Sequence, residues 1–212
     1  MASQHVAVFG PTGRVGSQVV EQALRAGHRV TAIARTPSKV TARDAHLQVV
    51  AADATDRHSV EQALRDASDI TVVVMAVGTD PLKPSTVVTD SVRAIVAAME
   101  AIGLKRYLGV SGTANMPATR LGALSLIPVR RFIKASTDHA SAYEIVRNSH
   151  LDYVLAACPY IRDGKPAPKG YHEETGPFPG GFKIITPTEV ADFLVHQIDD
   201  TSHHRQLIGI WH

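Results

Sequence analysis

Gly10, Gly13 and Gly16 are spaced through the run GPTGRVG. Before the run stands an apolar stretch, Val6-Ala7-Val8-Phe9; after it Val15, Val19, Val20, Ala23 and Leu24 fall on one helical face, with Gly27 as the stop. A strand that turns through glycines into a helix aims main-chain N–H groups and the positive end of a helix dipole at one spot. Glycine lets the chain turn tightly and lets a pyrophosphate approach the backbone. The chemistry implied by the glycine turn Gly10 to Gly16 is therefore diphosphate binding, and by context dinucleotide binding.

A second cluster follows the next apolar stretch, Val30-Thr31-Ala32-Ile33-Ala34. In a dinucleotide site this position holds a carboxylate for a ribose 2′-hydroxyl, or cations for a 2′-phosphate. Here it holds Arg35, Thr36, Ser38 and Lys39. A guanidinium fork, an ammonium and two hydroxyls suit a phosphate dianion, so the expected cofactor is NADP(H). Asp53 ends the third strand, where it can accept from an adenine amino group or cap the helix that follows.

The elements that must carry these residues alternate. Strands are expected over Gln48–Ala52, Ile70–Val74, Tyr107–Val110, Tyr153–Ala157 and Leu207–Trp211. Helices are expected over Thr55–Ala67, capped by Thr55 or Asp56, and over a long stretch with Val88, Val92, Ile95, Val96 and Met99 on one stripe, stopping at Gly103. Thr186-Pro187-Thr188-Glu189 is a capping box with proline at the first helical position, opening a helix to about Ile198. This order predicts an α/β fold: a Rossmann-type doubly wound parallel sheet with helices on both faces, one domain over residues 1–212. Two segments, 112–128 and 159–181, break the rhythm. Both begin at carboxyl ends of strands, the edge that holds the ligand in such sheets, and are expected to be loops walling a substrate pocket.

Bulk properties exclude other classes. A net charge of +2 over 212 residues gives no reason to expect nucleic acid. No apolar stretch approaches the roughly 20 residues of a membrane span, and no secretory leader is evident. The single cysteine, Cys158, precludes an internal disulfide and suits a reducing, cytoplasmic compartment. The histidines are scattered, so no metal site is expected.

The glycine run, Arg35, Asp53, Ala76-Val77-Gly78-Thr79 and His150-Leu151-Asp152-Tyr153 together resemble the atypical short-chain dehydrogenases, the branch of NmrA-like proteins and flavin/biliverdin reductases. VGTDPLKPSTVV, SVRAIVAAM and Thr137-Asp138-His139 are most similar to the latter. The resemblance covers nearly the whole chain and weakens over 159–181. It implies NADPH lying across the strand ends, with Gly10, Thr12, Gly13, Arg14 and Val15 at the pyrophosphate, Arg35 and Ser38 at the 2′-phosphate, Asp53 at the adenine, and Ala76 and Gly78 by the nicotinamide ribose. Around the nicotinamide it implies Ser111, Cys158, Pro159 and Ile161. His139 takes the position where ordinary members place a catalytic lysine, and Arg131 falls on a substrate-mouth arginine. The chain departs from the pattern at Cys158-Pro159-Tyr160, where those reductases carry a histidine after a proline pair; Tyr160 must fill that role or the substrate differs.

Carbonyl-reducing members use a tyrosine four residues before a lysine to protonate the alkoxide. The residues four beyond Tyr107, Tyr143, Tyr153, Tyr160 and Tyr171 are Ser111, Arg147, Ala157, Gly164 and Thr175; none is lysine. A conjugated acceptor such as a flavin or bilin spreads the negative charge left by hydride addition, so water can supply the proton and orientation suffices. Ser111, ending the fifth strand, is placed to donate to the nicotinamide amide or to substrate, or merely to satisfy the sheet end. Arg120, Arg130, Arg131 and Lys134 are a basic group for phosphate or propionates, or a solvated helix start. Phe132, Tyr160, Tyr171, Phe178 and Phe182 can stack on a planar ligand or serve packing. The expectation is an NADPH-dependent reductase of a small conjugated acceptor. The alternative is a non-catalytic NADP(H) sensor that reports to a protein partner.

Overall fold

A computed structural model of the chain describes residues 3–80, 82–132 and 135–212, and for 129–132 the backbone alone. The first half runs β1 (His5–Phe9), α1 (Arg14–Arg25), β2 (Arg29–Ala34), β3 (Leu47–Ala51), α2 (Arg57–Asp66), β4 (Val72–Met75) and α3 (Val87–Ile102). The second half holds β5 (Arg106–Gly112), α4 (Arg120–Phe132), α5 (Ala135–Asn148), β6 (Asp152–Cys158), β7 (Tyr160–Ile161), β8 (His172–Glu174), β9 (Ile184–Ile185), α6 (Pro187–Asp199) and β10 (Gln206–Trp211).

The main sheet has the order β3-β2-β1-β4-β5-β6-β10-β8 and is parallel except for β8, which pairs antiparallel with β10. This is a Rossmann-type doubly wound α/β sheet in a single domain. The strand order reverses between β1 and β4, and that switch point opens a crevice at the carboxyl ends of the strands.

Period-two alternation sorts the core into two layers. Val6, Val8, Ala32, Val74 and Leu108 face the layer that holds Val19 and Val20 of α1 and Val190, Phe193 and Leu194 of α6. Ala7, Phe9, Ile33, Val73, Met75 and Tyr107 face the opposite layer, with Val60 and Leu64 of α2, Ile95 and Met99 of α3 and Ala142 and Val146 of α5. Central β1 is buried on both faces, which is why it reads as a continuous apolar run. The capping box opens α6 with both of its bonds: the Thr186 hydroxyl accepts from the Glu189 N–H, and the Glu189 carboxylate accepts from the Thr186 N–H.

The stretch 112–128 departs from the expected loop. It holds a 3-10 turn at Thr113–Asn115 and the first nine residues of α4. Gly122 and Leu126 face inward, Leu126 within a small third cluster with Met116, Ala157, Phe178 and Trp211. Leu121, Leu124 and Ile127 stay exposed, and Pro128 lies inside the helix. Apolar residues on both faces, broken by glycine and proline, hide the helical period.

The stretch 159–181 is tied down at several points. Its β8 extends the main sheet, the Phe178 ring packs edge-on against Trp211, and the Phe178 N–H donates to the Pro117 carbonyl at 2.7 Å. Tyr171 Oη donates to Asp192 at 3.0 Å, and the Ala167 N–H donates to Glu189 at 2.8 Å. Among the described residues, no helix is long and apolar enough to cross a membrane.

Candidate functional site

The glycine run makes the tight turn from β1 into α1 at the switch point. Gly10 adopts φ +76°, and a Cβ there would lie 2.7 Å from the Ala76 carbonyl oxygen at the exit of β4. Only glycine satisfies both constraints. The Gly13 N–H donates to the Gly10 carbonyl at 3.1 Å, closing the turn. At Gly16 a Cβ would run into the same Gly10 carbonyl, so this glycine lets α1 sit directly on the turn.

Gly13 caps α1 without a side-chain bond, and the first turn carries no acid. The first intrahelical bond runs from the Ser17 N–H to the Gly13 carbonyl. The amides ahead of it have no acceptor within the helix, and no carboxylate competes for the positive end of the dipole. Thr12, Gly13 and Arg14 are exposed around this spot, whereas the Val15 side chain is buried in the core and contributes only its backbone.

Arg35 follows β2 directly, Ser38 and Lys39 are exposed on a 3-10 turn, Pro37–Lys39, and Asp53 lies two residues past the end of β3. Asp53 does not cap α2. Its Oδ1 accepts from the Thr55 N–H at 2.9 Å and the Thr55 hydroxyl at 2.8 Å. Those bonds, with a smaller contribution from the Arg35 charge, hold its pKa below the ordinary carboxylate value. Asp56 is the cap, accepting from the Ser59 N–H at 2.6 Å.

On the acceptor side, Ala76 is buried and Gly78 exposed at the exit of β4, and Ser111 ends β5, only 5% exposed. Cys158 ends β6 inside the core; burial pushes its thiol pKa up, so it is a packed apolar group in a neutral state. Pro159 leads into β7, where Tyr160 is 60% exposed. Arg14 turns toward this segment, donating to the Ile161 carbonyl at 3.3 Å and to Asp163 at 3.2 Å, and so bridges the crevice.

His139 is partly buried in α5. Desolvation lowers its pKa, opposed weakly by Asp138, which favours the neutral ring. The neighbouring Asp138 is buried and caps α3 from outside: its carboxylate accepts from the N–H groups of Val88 at 3.1 Å and Thr89 at 2.8 Å. The Thr-Asp-His stretch therefore fixes the helix that follows β4.

Tyr107 and Tyr153 are buried core residues, and Tyr171 packs on Phe193, which leaves Tyr160 and Phe182 as the exposed aromatics of this side among the described residues. The Arg131 side chain, with those of Arg130 and Phe132, lies outside the described residues, as does Lys134 altogether. One polar residue here carries no sequence signal: Asn115 bonds both Ser111 Oγ, at 3.0 Å, and the His139 carbonyl, at 3.2 Å.

Residues 10–201 match a family described as NAD(P)H-binding. The chain belongs to that family. A reductase of Aspergillus terreus, pytE, is 34% identical over an alignment of 137 residues that covers 53% of this chain and 49% of that protein. The match thus spans about half the length of that curated relative. Among solved structures, a protein of Burkholderia pseudomallei described as exported is 25% identical with a TM-score of 0.79, covering 99% of this chain and 100% of that one. ChuY of Escherichia coli O157:H7, an anaerobilin reductase, superposes with a TM-score of 0.77 at 19% identity, covering 98% and 96%. A protein of Streptococcus pneumoniae TIGR4 described as an NADH-flavin reductase gives 0.77 at 19%, covering 99% of each chain. The last two likenesses establish the fold. The family match agrees with the expected nicotinamide-dinucleotide-binding domain.

The residues present fit a nicotinamide dinucleotide. A cradle that a Cβ would fill is kept open at Gly10 and Gly16, and the uncapped helix start lacks a competing acid.

Proposed function

We propose that the protein is an NADPH-dependent reductase that passes hydride to a flavin, a bilin or a similar conjugated acceptor. The observation that carries this reading is the acid-free, uncapped start of α1 beneath Gly10 and Gly13, with exposed Arg35, Ser38 and Lys39 one strand away. The first suits a diphosphate, the second a 2′-phosphate. A bound nicotinamide supplies the hydride. The chain's own tasks are to hold the diphosphate at the switch point, to orient the ring over the ends of β5 and β6, and to limit water there.

The acceptor class follows from the proton. No tyrosine precedes a lysine by four residues, the Cys158 thiol is buried and neutral, and His139 is held toward its neutral form. None of these is an efficient acid at pH 7, so an acceptor whose reduced form delocalises charge is favoured over a ketone. Tyr160, Phe182, Leu121 and Leu124 are exposed apolar groups of the segments that flank the strand ends, suited to a flat, largely apolar molecule.

The test is NADPH oxidation followed by absorbance with FMN, FAD, biliverdin and quinones in turn. Turnover with at least one of them, and preference for NADPH over NADH, is the expected result. Binding of NADPH with no oxidation by any acceptor would sink the reading.

A further inference from the structure

Asn115 does more than join two loops. The His139 main-chain carbonyl oxygen, 3.2 Å away, can only accept, so the Asn115 group that faces it must be the NH2. The same nitrogen lies 3.0 Å from Ser111 Oγ. Asn115 therefore donates there, and the Ser111 hydroxyl accepts. A hydroxyl has one proton and two lone pairs; with a lone pair engaged on the Asn115 side, its proton is left for a partner elsewhere. Ser111 closes β5 between β4 and β6, at the strand ends where the crevice lies.

We infer that Asn115 is a positioning residue that makes Ser111 a one-way hydrogen-bond donor into the cleft, directed at a carbonyl oxygen of the nicotinamide carboxamide or of the conjugated acceptor. Through the His139 carbonyl it also locks the turn after β5 to α5, so the donor keeps its direction. The inference rests on the proposed nucleotide site and deepens it: a fixed donor stabilises negative charge on a carbonyl oxygen without reorganising.

The experiment is a double-mutant cycle with S111A, N115A, N115D and the two double variants. Affinity for NADP+ and NADPH is measured by calorimetry, kcat/KM at saturating NADPH with whichever acceptor turns over, and melting temperature as the check on folding. Asp at 115 reverses the hydroxyl, because a carboxylate accepts the Ser111 proton and withdraws it from the cleft. Asn115→Asp is therefore expected to lose more than Asn115→Ala, by about 3- to 10-fold, the worth of one neutral hydrogen bond. The loss should ease as the pH falls toward about 4, where the new carboxyl regains a proton to donate.

In the S111A background neither substitution should matter further. A loss in cofactor affinity places the accepted oxygen on the nicotinamide; a loss confined to kcat/KM places it on the acceptor. An Asp variant milder than Ala, losses that persist without Ser111, or S111A silent in both measurements would overturn the inference. If N115D does not fold, N115A with and without Ser111 decides. A protein that binds NADPH but reduces no acceptor would end the proposed function, while the affinity cycle still judges Asn115.

Discussion

The two ends of the strand-edge crevice are built differently. The proposed phosphate end is local: residues 10–16 make the turn and open α1, and the basic cluster 35–39 follows the very next strand. Its geometry comes from backbone conformation, a positive φ at Gly10 and the close approach of Gly16, and from the sheet register that brings β1 beside β4. The proposed acceptor end is assembled from afar. Thr119 donates to the Phe178 and Pro179 carbonyls, Tyr171 to Asp192, Ala167 to Glu189, and Arg14 reaches Asp163. One end is fixed by what the chain does within a few residues, the other by contacts that only the finished fold creates.

The largest effects should fall on the local end. Gly10→Val asks a branched side chain to adopt φ +76° and to enter the space of the Ala76 carbonyl. NADPH and NADH affinity should fall together by at least about 100-fold in calorimetry, given the several kcal/mol that strain and lost main-chain contacts cost. Arg35→Glu should separate the two coenzymes instead. About 30- to 100-fold is expected for NADPH, with little change for NADH, because only the former carries the phosphate that a charge reversal repels. Equal losses would remove the assignment to NADP(H).

Smaller effects test the distant end. Glu189 is almost fully buried. Burial alone would raise its pKa, but bonds from the Thr186 hydroxyl, the Ala167 and Thr186 N–H groups and the His212 charge outweigh it and leave the value lowered. A carboxylate lowered in the folded state adds stability that is complete above its unfolded pKa of about 4.3 and is lost as the pH falls through the folded value. Glu189→Gln should cost about 2 kcal/mol in urea unfolding at pH 7, and the gap to the parent protein should close toward pH 3. Tyr171→Phe should cost about 1 kcal/mol by losing one bond to Asp192. It should leave coenzyme affinity untouched; a matching drop in NADPH affinity would show that the two ends are coupled.

The same division explains what the sequence revealed. Strand-buried runs such as Val6–Phe9 and Val72–Met75 announce themselves because both faces are apolar, and the capping box at Thr186–Glu189 carries its own signature. The glycine turn and the exposed basic cluster were legible for the same reason: short spacing is all they need. At the other end α4 was hidden, since Leu121, Leu124 and Ile127 are exposed and, among the described side chains of α4, only Gly122 and Leu126 turn inward. His172–Glu174 shows no strand pattern, and it pairs with β10 as an antiparallel edge set by tertiary contacts. Asn115 had no motif at all, because its two partners lie on β5 and α5 and meet only after folding.

Calorimetric titration of the native protein with NADPH is the most direct test of the central claim, that main-chain amides at the start of α1 grip a diphosphate. Saturable one-to-one binding, abolished by Gly10→Val while the melting curve stays cooperative, is the predicted result. Flat traces at millimolar coenzyme, or full affinity in the Gly10→Val variant, would contradict it.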